Sequence, residues 1–220
     1  MKLQEYLPAA KWLSEQEMMI QPMIRLDQVP DLAFLSVLKE TQSGICTESV
    51  SVVKACSGFD PRSVFLSAKA GDGISDVHGK CRYYAEDKKE VAQLDQLVMP
   101  LLNEGYLEDI ALSISHYAKP DHFSAENIPE FARLIRRSKN LAVRGLFLSF
   151  NMEEDLCRQA KDAFSLVKKI RSDMPCMLHA FCFEGLLMPL YQDQDGELRK
   201  TLQMLASLND TSLYAAFYLT

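Results

Sequence analysis

Short apolar runs recur along this chain, and helix-like segments fill the intervals between them. We predict that eight of these runs are strands: Met19–Leu26, Gly44–Glu48, Ser63–Ala68, Cys81–Ala85, Ile110–His116, Val143–Phe150, Met177–Phe183 and Ser212–Leu219. Alternating strands and helices indicate a parallel sheet with crossover helices. Eight such units within 220 residues fit a closed (β/α)₈ barrel of the TIM type, an α/β fold in which functional residues lie where the strands end.

Length and composition predict one domain. The chain is 48% hydrophobic and contains no Gly/Ser/Pro-rich linker, so we expect a single barrel over residues 1–220, with a helix at 1–17 and the eight units at 19–220. The apolar stretches are far shorter than the roughly 20 residues that span a bilayer, and the start lacks the core of a signal peptide. We therefore expect a soluble, cytoplasmic protein. A net charge of −6 argues against a nucleic-acid-binding surface.

The N-terminal segment LQEYLPAAKWLSEQ has an apolar face at helical spacing, formed by Leu3, Tyr6, Leu7, Ala10 and Leu13. We predict that this helix covers the seam between the first and last strands, where Met23, Tyr214, Phe217 and Leu219 would otherwise be exposed. Pro8 would kink the helix or restrict where it starts. The alternative is a mobile tail, with a second protomer of a homo-oligomer covering the seam.

The cysteine and histidine spacings do not indicate a disulfide framework or a metal site. The six cysteines form no CxxC pair, so we expect reduced thiols that pack in the core. The four histidines have no metal-ligand spacing. His116 alone falls at the end of a predicted strand, the fifth, where a site residue is expected.

Four segments carry a more specific resemblance. They are DLAFLSVLKETQSGICTE at Asp31–Glu48, GFDPRSVFLSAK at Gly58–Lys69, HFSAENIPEFARLI at His122–Ile135 and VRGLFLSF at Val143–Phe150. In order and spacing, the chain from about residue 19 resembles the alanine racemase-like barrel of the pyridoxal-phosphate (PLP)-dependent ornithine/diaminopimelate/arginine decarboxylase family. The resemblance implies a PLP-binding type of barrel.

The family's cofactor lysine has no counterpart in this register. Val53-Lys54-Ala55 resembles the family's lysine strand, but the segment Gly58–Lys69 follows at once, whereas the family places a full strand–helix unit between the two. Lys54 is therefore predicted to lie on the helix before strand three. The Schiff-base position falls on Arg25, whose guanidinium stays charged and cannot form an aldimine.

Other positions depart from the family in the same direction. Ser149 stands where the resemblance implies a histidine that stacks on the cofactor ring. Cys182-Phe183-Glu184-Gly185 stands where it implies three glycines that cradle the phosphate. The sequence shows no counterpart of the family's C-terminal β-domain, which supplies a catalytic cysteine. The resemblance thus implies a degenerate, non-catalytic relative, a pseudoenzyme without a bound cofactor.

Polar residues remain at the predicted strand ends. The candidate ligand-binding residues are Arg25, Cys46, Glu48, Lys69, His116, Ser149, Asn151 and Glu184. Further polar residues there are Asp27, Asp72, Glu86 and Ser115. All of them would equally serve to solvate loops or to pair with one another, Arg25 with Glu48 or Glu184.

Two functions of different classes fit these residues. In the first, the protein is non-catalytic and binds a partner protein or a small anionic metabolite, the anion being held by Arg25, Lys69 and His116. In the alternative, it is a PLP-dependent amino-acid decarboxylase or racemase-like lyase that uses a different lysine, such as Lys69, and is completed by another subunit. Arg25 at the lysine position favours the first.

Overall fold

Eight parallel strands close into a barrel in the computed structural model, which describes residues 2–16, 20–114, 133–135, 137–173, 178, 180–206 and 212–218. The strands are β1 (Ile20–Arg25), β2 (Gly44–Thr47), β3 (Val64–Ser67), β4 (Arg82–Ala85), β5 (Glu108–Ile114), β6 (Leu141–Ser149), β7 (Ala180–Glu184) and β8 (Ser212–Tyr218). Each strand pairs in parallel with its neighbours in the sequence, and β8 pairs with β1. The predicted (β/α)₈ barrel is confirmed.

The helices are α1 (Lys2–Glu15), α2 (Leu32–Glu40), α3 (Val50–Ala55), α4 (Lys88–Val98), α5 (Leu156–Asp173), α6 (Leu187–Gln192) and α7 (Glu197–Ala206). The 3-10 segments include Pro61–Ser63 and Ala68–Val77, the latter interrupted at Gly71. None of the helices within the described ranges combines the length and apolarity needed to cross a membrane. Ser115, His116, Cys176, His179, Leu219 and most of His122–Ile135 lie outside the described residues.

Two strands begin earlier than predicted. We expected β5 and β6 to begin at Ile110 and Val143, but they begin at Glu108 and Leu141, which are register partners. For β5, the search for apolar runs excluded the polar residues Glu108 and Asp109. A parallel ladder is held by backbone hydrogen bonds, however, and tolerates polar side chains at its start. A β-bulge follows, because Val143 pairs with Ile110 and Gly145 with Ala111, which leaves Arg144 without a register partner.

The side chains inside the barrel form a cluster of their own, separate from the layer between strands and helices. Its members are Met23, Cys46, Phe65, Tyr84, Ala111, Phe147, Ala180, Cys182, Tyr214 and Ala216. Phe147 stacks on Tyr84 with ring centroids 5.1 Å apart and meets Phe65 edge-on at 5.2 Å. Small residues such as Ala111 and Ala180 leave room for these rings, so the barrel is filled below its mouth.

Helix α1 packs across the seam between β1 and β8. Tyr6, Ala9, Ala10 and Leu13 are buried. The ring of Tyr6 lies 5.7 Å from that of Phe217 on β8 and 6.4 Å from that of Phe34 on α2. The expectation for Met23 and Tyr214 was wrong, because both point into the barrel and not toward α1. Pro8 is accommodated inside the helix on its exposed side.

The amino-terminal end of β5 carries a buried acid. The Glu108 side chain is 14% exposed, and its Oε2 lies 3.3 Å from Nδ1 of His78. Burial, together with the neighbouring charge of Asp109, raises the pKa of Glu108 from its ordinary value of 4.5 to about 7. The folded protein therefore holds this proton in a pH range where the unfolded chain has released it.

Glu108→Gln is expected to stabilise the protein at about pH 8 by about 1 to 2 kcal/mol and to change little at about pH 4.5. The folded-state pKa is raised, so Glu108 costs stability as the pH rises from 4.5 to about 7, and the amide removes that cost. Urea denaturation at both pH values measures the effect, with Glu104→Gln in an exposed loop as the control. An equal change at both pH values would contradict the raised pKa.

Candidate functional site

The carboxyl ends of the strands form a mouth lined by charged residues. Arg25 ends β1, Glu48 follows β2, Lys69 follows β3 and Glu86 follows β4. Local geometry fixes two of these turns, since Ser67 Oγ accepts a hydrogen bond from the Lys69 backbone N–H (3.2 Å) and Asp87 caps α4. Side chains that are far apart in the sequence meet here because parallel strands end at the same edge.

Glu48 links the two cations of this network. Arg25 Nη2 donates to Glu48 Oε1 at 2.5 Å, and Lys69 Nζ lies 3.7 Å from the same oxygen. Arg25 Nε is also 3.9 Å from Asp27 Oδ1. Arg25 therefore pairs with Glu48, one of the two partners considered from the sequence.

Lys69 is surrounded by carboxylates. Its Nζ donates to Glu86 Oε2 at 2.6 Å and lies 3.9 Å from Glu90 Oε1. Partial burial acts to lower the pKa of Lys69, but the hydrogen bond and charge of Glu86, with the charges of Glu90 and Glu48, outweigh it and raise the pKa. The ammonium thus stays protonated, which removes the lone pair that a nucleophile needs.

Glu90 belongs to the site although the sequence analysis did not select it. It lies on α4, is 7% exposed, and its Oε2 accepts a hydrogen bond from the Glu86 backbone N–H at 2.7 Å. Burial raises its pKa. The sequence feature that could have indicated Glu90 is the spacing Asp87-Lys88-Lys89-Glu90, in which two acidic residues three positions apart form a capping pair at the start of a helix.

Cys46 lies beneath this network, inside the barrel, as the register partner of Arg25. Burial raises the pKa of its thiol to about 12; the positive charge of Arg25 partly offsets this rise, and the negative charges of Glu184 and Glu86 add to it. The thiol is therefore an interior packing group and not a nucleophile at neutral pH. The buried thiols of Cys56, Cys81 and Cys182 are likewise free.

Glu184 ends β7 beside Ser149, its register partner on β6. Because Glu184 is the last residue of a parallel strand, it lies at the same mouth, and its charge raises the pKa of both Cys46 and Cys182. Within the described part of the mouth, the two cations Arg25 and Lys69 thus lie among five carboxylates: Asp27, Glu48, Glu86, Glu90 and Glu184.

Ser149 and Asn151 form hydrogen bonds with neighbouring backbone and loop residues. Ser149 Oγ donates to the backbone carbonyl of Ile114 on β5 at 3.3 Å. Asn151 organises the β6–α5 loop, because its Nδ2 donates to Glu154 Oε1 at 2.9 Å. Its backbone N–H also donates to Gln159 Oε1, and its carbonyl accepts a hydrogen bond from Gln159 Nε2. Lys54 lies on α3, as expected, and pairs with Asp76 away from the barrel interior. His116 lies outside the described residues.

The described residues do not fit PLP. The lysine at this mouth, Lys69, is held as a cation by Glu86, and Arg25 is held by Glu48. The end of β7, where the sequence resemblance implies a phosphate cradle, presents the Glu184 carboxylate, which repels a phosphate dianion. No group of three His, Cys, Asp or Glu side chains in the described ranges is arranged to hold a metal ion.

No family model and no curated protein matches the chain, but solved structures do. Ornithine decarboxylase from Entamoeba histolytica matches with a TM-score of 0.72 at 15% identity, over 97% of this chain and 62% of that one. Diaminopimelate decarboxylase from Helicobacter pylori, complexed with L-lysine, gives 0.69 at 14%, over 99% and 61%. Arginine decarboxylase from Paramecium bursaria Chlorella virus, bound to agmatine, gives 0.69 at 10%, over 97% and 61%.

These matches show the fold. The chain has the barrel of the ornithine, diaminopimelate and arginine decarboxylases, as the sequence resemblance implied, and spans about three fifths of the length of the structures that it matches.

Proposed function

We propose that this protein is a degenerate member of the decarboxylase barrel family and that it binds a ligand at the mouth without catalysing a reaction. The observation that carries the proposal is the charge network, in which carboxylates hold Arg25 and Lys69. Arg25 replaces an amine with a guanidinium, and the raised pKa of Lys69 keeps the nearby amine protonated.

The charge balance favours a ligand with a positive charge. We inferred from the sequence a partner protein or a small anion, but the excess of carboxylates in the described mouth repels an anion. Glu48 uses Oε1 for both cations, and Glu86 uses Oε2 for Lys69. The second oxygens of these two carboxylates have no bonding partner among the described residues, so each is an acceptor for an ammonium or guanidinium group.

A small amine is therefore the ligand class that we propose. Two similar barrels are described with ligands of this kind, L-lysine and agmatine. A basic side chain of a partner protein would satisfy the same carboxylates, so the protein partner stays a prediction.

Agmatine is expected to bind, and Glu48→Gln to weaken that binding by on the order of tenfold, because the variant removes one charge from the acceptor pair. Isothermal titration at low ionic strength measures the affinity, since salt screens exposed charges. Glu104→Gln, in an exposed loop before β5, is the control and should bind like the wild type. Absence of binding, or equal binding by Glu48→Gln, would exclude agmatine as a ligand of this mouth.

The second candidate function is a PLP-dependent decarboxylase or racemase-like lyase, completed by another subunit. The observation in its favour is that Lys69 lies at the mouth, directly after β3. Its pairing with Glu86 argues against a role as the cofactor lysine.

A further inference from the structure

A cavity lies at the end of the barrel opposite to the mouth, where the strands begin. Its volume is about 790 Å³, within the range of small-molecule sites. Gln21 of β1, Arg82 of β4 and Asp109 of β5 line it from the strands, and Tyr214 of β8 contributes a wall. The packed rings of Phe65 and Phe147 fill the barrel between this cavity and the mouth, so the two sites are separate.

Three cations line this cavity. Lys39 lies in the last turn of α2, Arg62 in the 3-10 turn before β3, and Arg82 at the first position of β4. Arg82 is two residues before Tyr84, an interior residue, and therefore points into the barrel. Within the described ranges, the guanidinium groups of Arg62 and Arg82 form no ion pair or hydrogen bond.

The two carboxylates of the cavity are already engaged. Asp60 Oδ1 accepts a hydrogen bond from the Arg62 backbone N–H at 2.9 Å. Asp109 Oδ1 lies 3.5 Å from Nε of Arg144, the bulge residue of β6. Among the described lining residues, three cations thus stand against two carboxylates, one of which is paired with Arg144, so the cavity has an excess of positive charge, in contrast to the mouth.

The position of Arg82 distinguishes this cavity from an ordinary basic surface. A lysine in the last turn of a helix, such as Lys39, is explained by the helix dipole alone. Arg82 is instead a half-buried guanidinium on a strand, and a partly desolvated cation without a counter-ion is unfavourable. The Lys39 ammonium lies 5.3 Å from the centroid of the Phe59 ring, on the wall of the same cavity.

We propose that this cavity binds a small dianion, a phosphate monoester or a dicarboxylate, through Arg82, Arg62 and Lys39. Arginine forks match the oxygens of phosphate and carboxylate groups, so Arg62 and Arg82 offset the two charges of the dianion, and Lys39 offsets the charge of Asp60. Gln21 and Ser63 add uncharged hydrogen-bonding groups at the rim. The proposal is independent of the ligand at the mouth, because the two sites differ in position and in charge.

Titration of the whole chain with inorganic phosphate and with succinate at low ionic strength tests the proposal. We expect saturable binding of at least one probe, weakened by on the order of tenfold in Arg82→Gln. Phosphate binding alone assigns the phosphate ester, and succinate binding alone assigns the dicarboxylate. The matched control, Arg158→Gln on the exposed face of α5, should bind like the wild type.

Arg62→Gln is a second variant in case Arg82→Gln fails to fold, because Arg62 is exposed and its side chain makes no hydrogen bond or ion pair in the described ranges. It should also weaken binding, whereas Glu48→Gln at the mouth should not. No binding of either probe, or binding that is unchanged in both arginine variants, overturns the proposal. Neither result bears on agmatine binding at the mouth.

Discussion

Tyr6→Ala is expected to lower the free energy of unfolding by about 3 to 5 kcal/mol, a large part of a typical total of about 5 to 15 kcal/mol. The Tyr6 side chain is fully buried between Phe34 and Phe217, so truncation leaves a cavity where α1 meets β8. Its hydroxyl also donates to Ser43 Oγ at 2.6 Å. Urea denaturation followed by circular dichroism measures the change.

Tyr6→Phe separates packing from hydrogen bonding. This variant keeps the ring and should cost only about 0.5 to 1.5 kcal/mol, because Ser43 keeps its hydrogen bond with Thr41 Oγ1 (2.6 Å). Tyr106→Ala, at a side chain that is 69% exposed, is the control, with an expected change within about 0.5 kcal/mol. If Tyr6→Ala changed stability no more than this control, α1 would be a tail and not part of the barrel wall.

Incubation with PLP and reduction with borohydride are expected to leave every lysine without a stoichiometric adduct. Arg25 carries no amine that condenses with an aldehyde, and Glu86 holds Lys69 as an ammonium. Absorbance near the visible edge and peptide mass spectrometry measure adduct formation. Lys69→Met is the informative comparison, because an adduct that this variant abolished would assign Lys69 as the cofactor lysine and favour the enzyme.

Arg25→Lys is expected to remain inactive toward ornithine, lysine, arginine and diaminopimelate. The new amine would lie beside Glu48, and the Glu184 carboxylate would still oppose a phosphate at the end of β7. Groups of a catalytic site act as a unit, so restoring one of them does not restore the rate. Release of carbon dioxide by this single variant would falsify the non-catalytic assignment.

The side-chain environment was harder to predict than the strand order. Every predicted strand overlaps an observed one, because a short apolar run between helical segments is a local pattern. Met23 and Tyr214 were nevertheless assigned to the wrong face. In strands that are apolar on both sides, periodicity does not reveal which alternate residues point inward, and a shift of one residue reverses the assignment.

The sequence by itself determined the barrel and the order of its strands, since these follow from local pattern. It also predicts that Arg25 stands where the family has its cofactor lysine. Only the tertiary structure decided which charges meet. Glu90 reaches Lys69 from α4, and Asn151 binds its own loop. The basic cavity joins residues as distant as Gln21 and Tyr214. Such contacts depend on how eight strands close on one another, and barrel closure is a property of the whole sheet and not of any single segment.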